Sequence, residues 1–256
     1  MIHLEVPSES SALKRLYYDG FLKGVLYRAA CVFTDSTFSR ERIIDWSGLD
    51  PDRVVVTGCG VTECFFPGGR RRQHHRPYLL FVGNLKPHKN LDGLLLAFRD
   101  AGLSSDFDLL LPGYLDRRFK TLVGQLGLDH RILGLGPLSD PDLAALYRGA
   151  TALVVPSFYE GFGLPVAEAL ACGTPVLSSR LTSLPEVGGL AVRYFDPHDH
   201  EEFVETLKAV KTPEALQSLK TAGLLQARQH NWDTVAQIIR SKIEGRCSKP
   251  TSNRED

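Results

Sequence analysis

The sequence has no surplus of charge: thirty basic and thirty acidic residues cancel. There is no global field to draw it to nucleic acid, which is excluded as an expected partner. Paired cysteines are also missing. Cys31, Cys59, Cys64, Cys172 and Cys247 are odd in number and include no C-x-x-C pair. Neither a disulfide framework nor a structural zinc site is expected, and a reducing, cytoplasmic compartment is. No stretch approaches the roughly 20 apolar residues needed to span a bilayer. The opening MIHLEVPSES lacks the basic-then-apolar order of a signal peptide, so any membrane contact is expected from the side. Two nucleotide fingerprints are absent as well. GNLKPHKN does not fit G-x-G-x-x-G, which disfavours a dehydrogenase, and no G-x-x-x-x-G-K-[ST] occurs, which disfavours ATP hydrolysis.

What is present is an ordinary soluble composition, 43% apolar and 23% charged over 256 residues. That length suffices for one large domain plus a piece of a second. From Tyr78 onward, apolar runs of about five residues alternate with helical patterns. YLLFV, FDLLL, RILGL, ALVVP, PVLSS and AVRYF read as strands, separated by segments such as NLDGLLLAFRD, FKTLVGQLG, DLAALYRGA and PVAEALACG. This predicts an α/β fold, a Rossmann-like parallel sheet with helices on both faces. The first 76 residues differ. Residues 8–28 read as one amphipathic helix, CVFTD and DRVVVTG as strands, and SRERIIDWSG as a helix, too little for a second complete sheet. The expected division is a partial domain over 1–76, the Rossmann-like domain over 77–228, a C-terminal helix over 229–245 and a disordered tail over 246–256. GGRRRQHHRP, residues 68–77, reads as a solvated linker, with phosphate or an anionic membrane surface as the alternative ligand.

Ligands of open parallel sheets sit beyond the carboxyl ends of strands, where helix N-termini point N–H groups at anions. This singles out GNLKPHKN, GLGPLSD, SFYEGFGLP and RLTSLPE. In YEGFGLPVAEALACGTPV, Glu160 precedes a glycine turn and Glu168 falls about one turn inside a helix that Pro165 begins. Gly161, Phe162 and Gly163 allow close backbone approach and leave N–H donors free. Two readings stand: solvated charges helped by a helix N-terminus, or carboxylates that grip two polyol ends of one ligand, as an acidic residue grips a ribose.

EGFGLPVAEALACGTPV, with VGNLKPHKN upstream and SLPEVGG downstream, resembles the retaining nucleotide-sugar glycosyltransferases of family 4, the glycosyl transferases group 1. RAACVFTDSTFSRERI, DPDRVVVTGCGV and ILGLGPLSDPDLAALYRGA follow in that family's order. The resemblance implies the C-terminal half of the GT-B fold, with a truncated N-terminal domain. By resemblance Glu168 binds ribose hydroxyls, Glu160 binds the transferred sugar, and Lys89 binds the diphosphate, Glu160 and Lys89 being the catalytic pair. Gly83, Asn84 and Lys86 line the same loop. Asn84 stands where many members carry arginine, and Lys86 compensates. The N–H groups of Phe162, Gly163 and Leu164, beside Gly161, reach sugar and diphosphate, and Leu133 to Leu138 border the base. Ser183 and Glu186 lie near the donor without an assigned role, and His3 is not the family's catalytic histidine. No cofactor or metal is expected. The implied reaction is transfer of a hexose, preferentially mannose, from a nucleoside diphosphate to a glycan or lipid-linked acceptor in polysaccharide biosynthesis. The alternative is a nucleotide-sugar-binding module that needs a separate acceptor-domain chain or a second copy; an epimerase of the same architecture is a third reading. The helix over 8–28 is expected to expose Leu13, Leu16, Tyr17, Leu22 and Leu26 to a partner, with a membrane surface, through Lys14, Arg15 and Lys23, the weaker option.

Overall fold

A computed structural model describes residues 1–247. The expected tail over 246–256 therefore lies outside the described residues from 248 on; its first two residues continue the last helix.

The helix expected over 8–28 starts four residues later and runs over 12–28 with a π segment inside it. A short α1 (Ile2–Glu5) leads to a 3-10 turn at Pro7–Glu9. Ser10 and Ser11 are extended, and only then does α2 (Ala12–Tyr17) begin. The Ser11 hydroxyl accepts from Lys14 N–H and caps α2, the usual role of serine at a helix start. A π turn at Tyr18–Leu22, containing Gly20, carries α2 without a break into α3 (Lys23–Arg28). Its outer face shows Leu13, Leu16, Tyr17, Phe21 and Val25, while Leu22 and Leu26 are half-buried rather than exposed. Beyond it, β1 (Val32–Thr34) and β2 (Val54–Val56) pair in parallel around α4 (Thr37–Ser47).

The main sheet contains β3 (Tyr78–Leu80), β4 (Asp108–Leu111), β5 (Ile132–Gly134), β6 (Ala152–Val155), β7 (Val176–Ser179) and β8 (Arg193–Phe195). All its pairings are parallel, in the order β5-β4-β3-β6-β7-β8. The helices are α5 (Leu91–Asp100), α6 (Arg117–Gln125), α7 (Asp140–Gly149), α8 (Leu164–Ala171), α9 (Leu184–Gly188), α10 (His200–Lys208), α11 (Pro213–Gln226) and α12 (Trp232–Cys247). Strand side chains alternate between two cores, as the period of two requires. Leu79, Leu109, Leu111 and Val154 join α5, α6 and α10 on one face. Tyr78, Leu80, Leu110, Leu153 and Val155 join α7, α8 and α9 on the other. Burial on both faces explains why the central strands are mostly apolar runs.

Residues 68–77 are mostly exposed, as a solvated linker would be, but they are tied to the sheet. Arg72 N–H bonds to the Ala145 carbonyl at 2.8 Å. Arg70 pairs with Asp142, and Arg76 donates to the Ser105 carbonyl. The cause lies partly beneath them: Asp108 is fully buried, and a buried carboxylate needs partners. His74 supplies one at 2.7 Å. At the other end, α12 returns to the first sheet. Val61 N–H bonds to the His230 carbonyl, and Trp232 lies directly on Gly60.

Candidate functional site

The chain builds β3, β4 and β5 outward in one direction, then returns to place β6 beside β3 and build β7 and β8 in the other. The loops after β3 and β6 therefore diverge to opposite faces and open a crevice at their carboxyl ends, the switch point where open α/β sheets bind ligands.

Lys89 comes from the first loop and Glu160 from the second. Lys89 Nζ lies 2.7 and 2.9 Å from the two oxygens of Glu160. The side chains are only 14% and 12% exposed, so this is a largely desolvated pair. Ser157 Oγ donates to the same carboxylate at 2.8 Å. Two further bonds tie the loops together. Asn90 Nδ2 donates to the Pro156 carbonyl, and Phe158 N–H to the His88 carbonyl. Asn90 has φ 54° and caps α5 through Gly93 N–H; a Cβ at Gly93 would lie 2.5 Å from the Asn90 side chain. Gly83 lies against the Lys89 stem.

Helix α8 starts at Gly163, which has φ 106°, a conformation open to glycine and strained for other residues. The N–H groups of Phe162, Gly163 and Leu164 take no part in the hydrogen bonds of the described residues. They form an unsatisfied helix N-terminus over the crevice. Glu168 sits on the fifth residue of α8, and its partner is different from that of Glu160: Tyr147 Oη donates to Oε2 at 2.8 Å. Burial raises the Glu168 carboxyl to about 7, partly offset by the Tyr147 hydrogen bond.

The remaining expected residues are placed as follows. Leu133 and Leu138 are half-buried and pack against the second core, as Val82 and Phe162 also do. Phe162 meets the His230 ring edge-on at 5.7 Å. Asn84 is exposed, and its Oδ1 accepts from Lys86 N–H. Lys86 is not free to compensate for it: its Nζ pairs with the buried Glu9 at 2.6 Å and holds that carboxyl below its ordinary range. Residues 5–8 and Pro87, His88, Phe158 and Tyr159 enclose a groove of about 330 Å³ beside the crevice. His88 is buried, which pushes its imidazole down toward the neutral form.

Several contacts here had no sequence signal. The Gly161 carbonyl accepts from Ser36 and Ser39 hydroxyls at 2.5 and 2.9 Å. Glu186 takes Thr37 and Phe38 N–H, both at 2.7 Å, so it closes the N-terminus of α4. Thr182, at φ 58°, offers Oγ1 to Glu160 N–H, and Ser183 Oγ donates to the carbonyls of Glu160 and Phe162. A threonine in the left-handed region is strained, by roughly 1–3 kcal/mol. Tyr147 lay hidden inside a helical apolar pattern. Outside the crevice, His74, His75 and Asp108 bring ligand-type atoms within 4.8 Å of one another. Arg76 and Arg131 stand 3.4 and 3.3 Å from the same carboxylate. Two guanidinium groups oppose a divalent cation there, and the cluster reads as a buried anion with its counter-charges.

The architecture defines a doubly wound α/β protein with a crevice at its switch point and a partial second sheet beside it. Residues 67–225 match the model of the family described as "Glycosyl transferases group 1", and the chain belongs to that family. Among curated proteins it is 34% identical over 232 residues to O-antigen chain mannosyltransferase B of Escherichia coli, covering 85% of this chain and 61% of that protein. The chain thus spans about three-fifths of that relative. Sucrose-phosphate synthase from Thermosynechococcus elongatus superposes with a TM-score of 0.79 at 24% identity, covering 97% of this chain and 65% of the other. HepE from Anabaena, solved with UDP and glucose, gives 0.71 at 17%, covering 91% and 70%. The fold is the expected α/β half of the GT-B type.

Proposed function

We propose that this chain is the donor-binding part of a retaining hexosyltransferase that moves mannose from a nucleoside-diphosphate sugar to a glycan or lipid-linked acceptor. The observation that carries it is the Lys89–Glu160 pair at the β3/β6 switch point, beside the unused N–H groups of α8. A diphosphate at that helix N-terminus meets three N–H donors and the Lys89 ammonium, which together stabilise the charge developing on the leaving group. Lys89 has three donors and need not abandon Glu160 to do so. Glu160 is then held, by Lys89 and Ser157, at the sugar end, while Glu168 addresses the ribose. Charge on the diphosphate is met by protein groups, so no step is routed through a metal. Mannose is favoured by the name of the E. coli relative.

Calorimetry with GDP, UDP and ADP, followed by transfer or hydrolysis of the matching nucleotide sugar, tests this reading. Glu160→Gln is expected to keep nucleoside diphosphate affinity within about threefold and to lower turnover by about 100-fold or more. Unchanged turnover in that variant removes Glu160 from the reaction. The second reading, a binding module without catalysis of its own, is favoured by the 61% coverage of the E. coli relative. It predicts binding without turnover until an acceptor-side chain is added.

A further inference from the structure

We propose that Tyr147 is a positioning residue for the donor site, holding Glu168 by one carboxylate oxygen so that the other is presented to the vicinal diol of the nucleotide ribose. This deepens the reading above and rests on it.

Glu168 has two oxygens with different environments. Oε2 accepts from Tyr147 Oη at 2.8 Å, whereas Oε1 accepts no hydrogen bond from the described residues. A carboxylate that must take two hydroxyl donors from a diol needs its rotamer fixed beforehand and one oxygen left open. Tyr147 supplies the fixing from a rigid base. Its side chain is fully buried, and its ring meets Phe65 edge-on at 5.9 Å. Its carbonyl accepts from Thr174 Oγ1 at 2.7 Å, which ties α7 to the turn just beyond α8. The hydroxyl is also a permanent donor, because burial and the facing carboxylate push its ionisation far above its ordinary range. Helix α7 follows directly from the loop that contains Leu138, so one segment borders the crevice and orients the carboxylate.

The hydroxyl has a second consequence, for charge. Burial raises the Glu168 carboxyl, Asp140 on α7 raises it further, and the Tyr147 hydrogen bond alone lowers it. Cys59 and Cys64, on the segment after β2, and Cys172, at the end of α8, also face it, and burial raises all three thiols, keeping them protonated and neutral near pH 7. Loss of the tyrosine hydroxyl therefore leaves Glu168 protonated to a higher pH. A neutral carboxyl grips a diol less well than a carboxylate.

The test is isothermal titration of the wild-type chain and Tyr147→Phe with the best-binding nucleoside diphosphate of GDP, UDP and ADP, and with its 2′,3′-dideoxy analogue. The wild type is expected to prefer the ribose form about tenfold or more. In Y147F that preference collapses to within about twofold, and the pH midpoint of ribose-form affinity moves upward. In a Glu168→Gln background, Y147F adds nothing further. Tyr147→His, which keeps a donor on a smaller ring, retains part of the preference and serves if Y147F does not fold. A preference kept in full by Y147F, or lost equally in Y147H, overturns the positioning role while leaving the proposed function intact. A wild-type chain that binds no nucleoside diphosphate overturns both.

Discussion

At the residue scale, the Lys89–Glu160 contact is a buried pair whose separate halves are worth more than their sum. Removing one partner strands the other in a site that is 12–14% exposed, at a cost of about 3–5 kcal/mol. Lys89→Met is therefore expected to destabilise by about 3 kcal/mol, and Lys89→Met with Glu160→Gln by less than the two single changes added. Urea denaturation of the four proteins of that cycle measures it; strict additivity contradicts the pairing. Glu168 makes the opposite kind of prediction. Its carboxyl is raised from 4.5 to about 7. Between those values the native chain holds a proton that the unfolded chain has released, so stability falls as pH rises through this window. The contribution is complete below about pH 4.5 and gone above about pH 7. Glu168→Gln is expected to flatten that part of the stability–pH curve, and identical slopes for wild type and variant reject the assignment. The glutamates themselves were legible, because Gly161, Gly163 and Pro165 mark a turn and a helix start. Lys89 was named beside Glu160 only through the family resemblance and Tyr147 had no signal, since they reach the glutamates from 71 and 21 residues away.

Among the elements, α4 shows how a helix can be completed by a residue of another unit. Ser36 caps it locally, accepting from Ser39 N–H at 3.0 Å. Glu186 takes the two N–H groups between, from 149 and 148 residues away. A carboxylate on a helix N-terminus gains from both hydrogen bonds and the dipole. Glu186→Ala is expected to cost about 1–2 kcal/mol and to speed amide exchange of Thr37 and Phe38. Exchange unchanged at those two amides excludes the cap. Sequence could place Glu186 near the donor but could not assign it a role, because its partners are backbone groups of a distant helix. The later start of the helix expected over 8–28 has a local cause. Ser10 and Ser11 offer capping hydroxyls, so a helix beginning at Ala12 wins over one running from Ser8. The strands of the main sheet were legible for the converse reason: burial on both faces makes most of them nearly continuous apolar runs.

In the whole molecule, several contacts join the first unit to the large sheet. Ser36 and Ser39 hold Gly161, Glu186 holds α4, and α12 returns to Gly60. The first of these reaches the turn between the two glutamates, so the shape of the crevice depends on residues of the first sheet. At Gly60 there is no room for a side chain. A Cβ there would stand 2.5 Å from the Trp232 ring and 2.6 Å from its backbone nitrogen. Gly60→Ala is expected to lift α12, and hydrogen exchange at Val61, whose N–H bonds to His230, reads the release. Protection at Val61 equal to that of wild type contradicts this coupling. Among the described residues no helix is long and apolar enough to cross a membrane. Sequence by itself determined the strands, the alternation with helices, the glycine turn and the family, because each is written in neighbouring residues through period, turn chemistry or motif. Only the tertiary structure decided which charges meet: that Lys89 closes on Glu160, Lys86 on Glu9, Tyr147 on Glu168 and Glu186 on α4. The first of those pairings depends on the sheet order, which reverses between β3 and β6 and brings together loops that lie far apart along the chain.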